Sequence, residues 1–359
     1  MKREEIIRWL RLDDESRLEC LWRIADDIRS RCVGDEVYLR GLIEISNYCK
    51  NNCLYCGIRA GNTKVSRYRL SAEEILECAE KCVELRYGTI VMQGGEDAGI
   101  KAEWLAEIIR EIKLRTNLAV TLSLGNRSVE ELFLWKQAGA DRYLIRFETS
   151  DCELFSKIHR GNVKKGDIGE RINIICQLRE IGYEIGSGVM IGLPGQSYAS
   201  LARDIELMCE LDLDMIGIGP YIPHPDTPLY FEMREMMLPE GEQVPNTELM
   251  SYKVMALIRK FQPFANIPST TAIATLNGDA GRQLGLMRGA NVIMPNLTPM
   301  KYRRFYEIYP NKACLFEADD FDRIIKNQIN SIGRKVGVGR GDSRNKLYRE
   351  KEKCLRIWS

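Results

Sequence analysis

The sequence has few histidines, almost no net charge and no long apolar run, and each shortage excludes a class of function. Only two of the 359 residues are histidine, His159 and His224, so a metal site built from several imidazoles is excluded. The formal net charge is +1, with acids and bases mixed along the chain, which argues against a nucleic-acid partner or a polybasic membrane anchor. No apolar stretch is long enough to span a bilayer, and the charged start lacks the apolar core of a signal peptide.

The twelve cysteines are scattered through the chain and do not resemble the paired framework of a small secreted protein. Free thiols persist in a reducing compartment. The cysteine usage therefore predicts a cytoplasmic protein. The mixed charge and the lack of a long apolar run predict neither a nucleic acid nor a membrane as partner.

Three of these cysteines form the most informative motif. Cys49, Cys53 and Cys56 follow the spacing Cys-x3-Cys-x2-Cys, and Tyr55 stands directly before the last of them. A structural zinc site or an all-cysteine cubane needs four ligands close together, whereas this run stops at three. Three thiolates hold three corners of a [4Fe–4S] cluster and leave the fourth iron open to a small molecule. The alternative is three incidental thiols on a loop.

This segment resembles the cluster loop of the radical S-adenosylmethionine (SAM) superfamily. The resemblance implies that SAM chelates the open iron through its amino and carboxylate groups. It also implies that one electron from the cluster cleaves the sulfonium to methionine and a 5′-deoxyadenosyl radical. The implied cofactors are therefore a [4Fe–4S] cluster and SAM, and Tyr55 is expected to pack against the cluster or the adenine.

The rest of the chain alternates between short apolar strands and amphipathic helices, which predicts a parallel sheet with helical crossovers. About eight such units predict a complete (β/α)8 TIM barrel. We expect an N-terminal helical extension at 1–36, the barrel at 37–330, and a C-terminal tail at 331–359 that forms a surface strap. The predicted strands are 38–45, 88–92, 118–122, 142–147, 184–190, 215–218, 266–268 (weak) and 291–294.

Polar residues at the carboxyl ends of these strands are the candidate SAM ligands, because barrel enzymes build their sites there. After the second strand, Gly94, Gly95 and Glu96 resemble the Gly-Gly-Glu motif with which the superfamily binds the amino group of SAM. Polar side chains near strands three and four, and the backbone after strand five, extend this site. These further candidates are Ser123, Arg146, Glu148, Arg171, Met190 and Ile191.

The last two predicted strands bring hydroxyl groups and a thioether to the barrel mouth, without another acid or base. A closed cavity with few polar anchors suits radical chemistry, because it holds the substrate and limits side reactions. His224 remains open between a site residue and a structural histidine. The candidate substrate residues are Thr270, Thr271, Met294 and Tyr306.

Longer strings resemble one family within the superfamily, the HydE maturases of [FeFe]-hydrogenase. The resemblance implies that the adenosyl radical attacks the sulfur of a cysteine-bound iron–carbonyl–cyanide synthon. It further implies an electron donor such as a ferredoxin or flavodoxin, with other hydrogenase maturases as partners. The strings are Asn51-Asn-Cys-Leu-Tyr-Cys-Gly57, Arg67-Tyr-Arg-Leu70, Gly95-Glu-Asp97, Gly139-Ala-Asp-Arg-Tyr-Leu144, Gly192-Leu-Pro-Gly-Gln196, Gly217-Ile-Gly-Pro220, Ile222-Pro-His-Pro-Asp-Thr-Pro228 and Gly289-Ala-Asn-Val-Ile-Met-Pro295.

Two positions depart from that family. Phe147 stands where a histidine is usual between the strand-four Arg and Glu, and this leaves the substrate open. Cys314 lacks the partners of a second cluster, so we predict none. The alternatives are a HydE-like paralogue with another small-molecule substrate, methylornithine synthase, a non-enzymatic iron–sulfur scaffold, and a zinc-binding structural domain.

Overall fold

A computed structural model describes residues 2–160, 167–312 and 317–345. Cys314 lies outside these ranges, so the predicted absence of a second cluster stays a prediction. Within the described ranges, none of the helices combines the length and the apolarity needed to cross a bilayer.

Strands and helices alternate along the chain, as the hydrophobic pattern predicts. The strands are β1 Glu36–Ser46, β2 Thr89–Gly94, β3 Ala119–Ser123, β4 Arg142–Leu144, β5 Glu184–Ile191, β6 Met215–Pro220, β7 Val292–Ile293 and β8 Lys335–Val336. The helices are α1 Arg3–Leu10, α2 Glu15–Val33, α3 Ala72–Glu84, α4 Ala102–Arg115, α5 Val129–Gln137, α6 Cys152–Ile158, α7 Ile168–Ile181, α8 Tyr198–Glu210, α9 Pro228–Met236, α10 Glu248–Phe261, α11 Thr271–Met287, α12 Met300–Arg303 and α13 Ala318–Ser331.

The strands form a parallel half-barrel in the order β6-β5-β4-β3-β2-β1-β7. The weak strand predicted at 266–268 makes only isolated bridges, from Asn266 to Met215 and from Pro268 to Val292. Proline has no N–H to donate to a ladder, which explains why this segment does not form a regular strand. The parallel α/β architecture is confirmed, whereas the complete eight-stranded barrel is not.

Strand β1 is covered on both of its faces. Its outward face packs on helix α3, where a Cβ on Gly41 would lie 2.9 Å from Cys82 Sγ. Its inward face carries charge, since Arg40 contacts Met215 Sδ at 3.0 Å and Glu44 accepts a hydrogen bond from Asn296. Both faces of the strand are therefore covered, as in other parallel sheets.

Helices α1 and α2 precede the sheet. Asp14 caps α2 by accepting a hydrogen bond from Arg17 N at 2.9 Å. The extension is tied to helix α10, because Lys253 Nζ donates to Leu10 O and Asp13 Oδ1, both at 3.1 Å.

The C-terminal tail crosses the bottom of the half-barrel, at the N-terminal ends of the strands. β8 pairs with the start of β1, and the next residues run beneath the sheet. Arg340 O accepts hydrogen bonds from Thr89 Oγ1 at 2.7 Å and from Arg142 at 2.9 Å. The approach is so close that a Cβ on Gly88 would lie 1.7 Å from Gly339 O. The tail thus closes the bottom of the half-barrel with Gly341, Ser343 and Asn345 buried against it, while Val338 and Arg344 remain exposed. The glycines permit the close approach.

Candidate active site

The cysteine loop follows β1 at the top of the half-barrel. Cys53 is buried, whereas Cys49 and Cys56 are half-buried. Burial raises the pKa of the Cys49 thiol. Burial, and then the neighbouring Cys53 and Cys49, raise the pKa of the Cys56 thiol. The three thiols are therefore close enough to interact electrostatically.

The number and type of these side chains suit an iron–sulfur cluster, because three thiolates can each bind a different iron. Among the residues that the structure describes, no group of three His, Cys, Asp or Glu side chains is arranged around a single metal ion. Cys49 Sγ also accepts a hydrogen bond from Asn51 N at 3.4 Å, a contact that stabilises a thiolate. The donor set fits three corners of a [4Fe–4S] cluster.

Arg67 holds the shape of the cysteine loop. Its guanidinium donates to the carbonyl oxygens of Asn47 at 2.5 Å, Ile58 at 2.7 Å and Arg59 at 2.7 Å. Those carbonyls lie on both sides of the cysteines, so one side chain ties the loop together. Asn62 adds a hydrogen bond to Gly57 O at 2.7 Å. The site predictions omit Arg67, although it belongs to one of the resembling strings.

The Gly-Gly-Glu segment after β2 packs directly on the cysteine loop. A Cβ on Gly95 would lie 2.2 Å from Tyr48 O and 2.8 Å from Cys49 Cβ, so only glycine permits this approach. Lys50 N donates to Glu96 O at 2.9 Å. The Glu96 carboxylate is buried and lies 3.5 Å from Lys50 Nζ. The structure therefore places a buried acid beside the three thiols.

Gly125, just after β3, is a residue that the sequence analysis missed. It has φ +72°, and a Cβ there would lie 1.8 Å from Glu96 Cγ. Tyr143 Oη fixes this turn by donating to Gly125 O at 2.8 Å. Ser123 ends β3 opposite Gln93 of β2 and is half-buried. Glu96 is thus confined between two loops.

The end of β4 directs alternate side chains to opposite sides. Arg146 Nε lies 3.1 Å from Glu148 Oε2, and Arg146 Nη2 donates to Val189 O at 2.6 Å. Phe147, between them, is fully buried in the apolar core. Glu148 has φ +65°, a conformation that costs a non-glycine residue about 1–3 kcal/mol. This strained turn ends β4 earlier than the sequence predicts and orients an Arg–Glu pair.

Arg171 reaches the same place from helix α7. Its guanidinium donates to Arg146 O and lies 5.7 Å from the ring centroid of Phe155. Burial alone would lower the pKa of Arg171, but Tyr55, Cys53 and then the Glu148 carboxylate raise it above its usual value. The side chain therefore stays cationic among these groups.

Tyr55 and His159 form a hydrogen-bonded pair behind the cysteine loop. His159 Nδ1 lies 2.9 Å from Phe155 O, so it carries the proton and donates. Nε2 is then left to accept from Tyr55 Oη at 3.2 Å. Burial, and then Arg171, lower the pKa of His159 to about 3, so the imidazole stays neutral. The sequence analysis did not assign His159 a role.

His224 has the contacts of a structural residue. Its Nδ1 accepts a hydrogen bond from Asp226 N at 3.0 Å, and it is buried. A Cβ on Gly57 would lie 2.7 Å from its ring. The imidazole thus packs on the cysteine loop and orders the proline-rich turn.

A buried brace joins the loops after β4 and β5. Gln196 Oε1 accepts from Gly192 N at 2.7 Å, while its Nε2 donates to Met190 O at 3.1 Å and to Asp204 Oδ2 at 3.0 Å. Asp204 Oδ1 accepts from the Ser150 backbone at 2.5 Å and hydroxyl at 2.6 Å. The backbone at Met190 and the Arg146–Glu148 turn therefore share one support.

Ile191 is less available than Met190 to a ligand. Its side chain is fully buried, and its carbonyl oxygen accepts from Tyr221 N at 2.8 Å. Met190 is half-buried, and Met190 N donates to Glu148 O at 3.0 Å. Met190 is thus the residue of the pair with an accessible side chain.

The candidate substrate residues are only partly brought together. Thr271 and Met294 line a common cavity with a volume of about 10 Å³, room for roughly one water molecule. Thr270 Oγ1 donates to Ile218 O at 2.9 Å, on the neighbouring β6. Tyr306 is buried, and its hydroxyl accepts from Gln93 Nε2 at 3.3 Å.

A buried ion pair in the half-barrel also escaped the sequence analysis. Lys312 Nζ pairs with Glu44 and lies 4.6 Å from the ring centroid of Tyr306. Asn296 Nδ2 donates to the other oxygen of Glu44 at 3.2 Å. A glutamate inside an apolar strand was the available signal, because a buried carboxylate requires a partner.

The sequence pattern of the Radical SAM superfamily matches residues 43–227, just over half of the chain. The chain belongs to the radical SAM superfamily. Enzymes of this superfamily use a [4Fe–4S] cluster and SAM, and the protein is accordingly a radical SAM enzyme.

Three individual proteins are similar to this chain over most of its length. The chain is 44% identical over 336 residues to the [FeFe] hydrogenase maturase subunit HydE of Thermotoga maritima, covering 93% of this chain and 92% of that protein. The crystal structure of methylornithine synthase (PylB) superposes with a TM-score of 0.79 at 23% identity, covering 94% of each chain. The maturase HydG from Carboxydothermus hydrogenoformans superposes with a TM-score of 0.74 at 20% identity, covering 92% of this chain and 75% of that one. At these identities the two structures show a shared fold.

Proposed function

We propose that this radical SAM enzyme is a HydE-type maturase of [FeFe]-hydrogenase. The observation that carries the proposal is the packing of the Gly-Gly-Glu segment on the cysteine loop, with the Arg146–Glu148 turn and Arg171 beside it. The identity to HydE extends over nearly the whole chain, which supports a shared substrate class.

Cys49, Cys53 and Cys56 would hold three irons of the cluster. The bound cluster supplies one electron to SAM, which yields methionine and the 5′-deoxyadenosyl radical. Glu96 is buried next to the cysteine loop, where its carboxylate would accept hydrogen bonds from the ammonium group of SAM. Gly94 and Gly95 permit this close approach.

Two guanidinium groups would orient the rest of SAM. Arg171 stays cationic beside the cysteine loop, so it would bind the SAM carboxylate. The Arg146–Glu148 pair would face the ribose hydroxyls and the carboxylate. Ser123 and the backbone at Met190 and Ile191 would contact the ribose and adenine, and Tyr55 would cover one side of the cluster loop.

The proposed substrate is a cysteine-bound iron–carbonyl–cyanide synthon whose sulfur the adenosyl radical attacks. Thr271 and Met294, which line one cavity, would contact it inside the half-barrel, and Thr270 and Tyr306 are the further candidates. Phe147 does not bear on this choice through direct contact, because its side chain is buried in the apolar core. Exclusion of water from the lumen would protect the radical.

The proposal also includes a closed barrel, a cytoplasmic location and protein partners. We infer that the barrel closes through residues 266–268, which is supported by the isolated bridges from Asn266 to β6 and from Pro268 to β7. An oxygen-sensitive cluster suits the reducing cytoplasm. A ferredoxin or flavodoxin would supply the electron, and other maturases would exchange the synthon.

An anaerobic assay tests the reaction. The protein is reconstituted with iron and sulfide, reduced with dithionite and mixed with SAM, and 5′-deoxyadenosine is quantified beside a Cys53→Ala control. We expect Cys53-dependent deoxyadenosine that increases when the iron synthon is added. A cubane spectrum without deoxyadenosine in either condition would favour the iron–sulfur scaffold, and the absence of any visible absorption would favour a zinc domain.

Methylornithine synthase is separated from HydE by its substrate. Lysine replaces the synthon in the same assay, and the products are analysed for methylornithine. We expect no rearranged amino acid. Lysine-dependent methylornithine would contradict the HydE assignment while leaving the radical SAM chemistry intact.

A further inference from the structure

The cysteine loop is basic in a chain that is otherwise nearly neutral. Between residues 47 and 72 there are five basic residues and no acidic residue, whereas the whole chain carries +1. Such a local excess of one sign creates a positive potential over that face. The five residues are Lys50, Arg59, Lys64, Arg67 and Arg69.

Two of the five make two or more side-chain hydrogen bonds within the fold. Arg67 donates to carbonyl oxygens on both sides of the cysteines. Arg69 forms a bidentate pair with Asp97, at 2.6 and 2.8 Å. The remaining three, which we call the basic rim, are Lys50, Arg59 and Lys64. The side chains of Lys50 and Lys64 are 52% and 74% exposed, so they reach solvent.

The basic rim lies one layer of residues from the cluster ligands. Ala60 N donates to Asn51 O at 2.8 Å, and Gly61 N donates to Asn52 Oδ1 at 2.9 Å. Arg59 Nη1 donates to the same Asn52 oxygen at 2.7 Å. Asn51 and Asn52 stand between Cys49 and Cys53 in the sequence. The exposed tip of the loop therefore rests on the segment that joins two thiols.

The acids nearby offset this charge only in part. The buried Glu96 lies 3.5 Å from Lys50 Nζ, and Asp226 pairs with Lys64 at the surface. Exposed pairs of this kind contribute little and exchange readily for another carboxylate. Arg59 forms no ion pair with any acid in the described part of the chain, and its Nε is buried without a hydrogen-bond partner.

We propose that the basic rim is the docking surface for a small acidic one-electron carrier protein. This inference rests on the proposed function, because a SAM-cleaving cluster must receive its electron from outside. The reduced carrier loses one electron and is oxidised; the cluster gains it and passes it to the sulfonium, whose C–S bond breaks. Electron transfer slows steeply with distance, and the basic rim is a short path to the cysteines that also steers acidic partners.

The test compares two electron sources on the reconstituted enzyme. The double variant Arg59→Gln, Lys64→Gln removes two charges from the basic rim, and the control Arg110→Gln, Lys335→Gln removes two exposed charges elsewhere. Deoxyadenosine is measured with reduced flavodoxin, with reduced ferredoxin and with dithionite. We expect the apparent KM for the better carrier to rise about fivefold or more at low salt in the rim variant only. The dithionite rate stays unchanged.

Other outcomes separate the ideas. Equal carrier KM values for the rim and control variants would overturn the docking surface. A second outcome would also overturn it: the rim variant changes the dithionite rate and the cluster midpoint potential but leaves the carrier KM unchanged. In that case the basic residues would only offset the charge of the cluster. Failure of both carriers with wild type, despite dithionite activity, also overturns it. Failure of dithionite as well would instead contradict the proposed function.

Discussion

Arg142 and Arg146 are four residues apart, yet one lies at the bottom of the half-barrel and the other near the top. Arg142 is fully buried and pairs with Glu184 at 2.7 Å, with Thr89 at 2.9 Å and with Asp342 at 2.5 Å. Arg146 is 28% exposed and contacts Glu148 and a backbone carbonyl. The bottom charges satisfy one another, whereas the top charges keep an open side for a ligand.

This difference predicts that substitutions at the bottom of the half-barrel change stability, whereas substitutions at the top change SAM binding. A closed network at the bottom contributes to folding, because removal of Arg142 would leave the buried Glu184 carboxylate without its cation. An open arrangement at the top contributes to binding, because its remaining hydrogen-bonding capacity is used only when SAM is present. Changes at the two ends therefore separate stability from SAM affinity.

The largest effect is expected at the bottom. Arg142→Met leaves Glu184 and Asp342 without their shared cation, which we expect to lower the free energy of unfolding by about 3–5 kcal/mol. Urea denaturation of the reconstituted protein measures this loss, with Arg110→Met on the exposed surface of α4 as control. The SAM affinity of the folded fraction stays unchanged. A loss below about 1 kcal/mol would show that the tail network is not a stabilising closure.

An intermediate effect is expected at the top. Arg171→Met removes the charge that we assign to the SAM carboxylate and the hydrogen bond to Arg146 O. Loss of a charged hydrogen bond costs about 1.5–3 kcal/mol, so the Kd for SAM rises by about 10- to 100-fold. Calorimetric titration of SAM into the reconstituted enzyme measures the shift. If the SAM affinity is unchanged and the free energy of unfolding is lowered, then Arg171 stabilises the fold, as Arg142 does, and does not bind SAM.

Part of the fold and of the candidate site could be predicted from the sequence. The cysteine loop and the Gly-Gly-Glu segment were predictable because each is a short local motif at the end of an apolar strand. The alternation of amphipathic helices with apolar strands was predictable for the same reason. Both kinds of signal lie within one stretch of chain.

Contacts between distant segments were not predictable. Arg142 meets Asp342 only after the chain has completed the sheet, and Gly125 matters only because Glu96 packs against it. The predicted strand at 266–268 does not form a regular strand because Pro268 cannot donate a ladder hydrogen bond. No local sequence feature indicated that the tail runs under the barrel. No single-residue pattern encodes these pairings.

The smallest effect is expected for a substitution of Asp204. This residue is as buried as Arg142 at the bottom of the half-barrel, yet it supports the loops at the top. Burial raises the pKa of Asp204 to about 7, against hydrogen bonds from Ser150, Gln196 and Thr149 that lower it. Asp204→Asn turns an N–H toward Gln196 Nε2 and costs about 1–2 kcal/mol of unfolding free energy. Loosening of the brace to Met190 and the Arg146–Glu148 turn should also weaken SAM binding a few-fold.

The pH dependence of this variant identifies the carboxyl group. Between its ordinary pKa of 3.8 and about 7, Asp204 holds a proton in the folded protein that it loses in the unfolded chain. Its contribution is therefore fully present below 3.8 and is lost as the pH rises through 7. Because asparagine does not titrate, the destabilisation of the variant relative to wild type should shrink between pH 5 and pH 8. Denaturation at both pH values, with the exposed Asp27→Asn as control, measures this trend, and a difference that stays constant with pH would mean that Asp204 keeps its ordinary pKa.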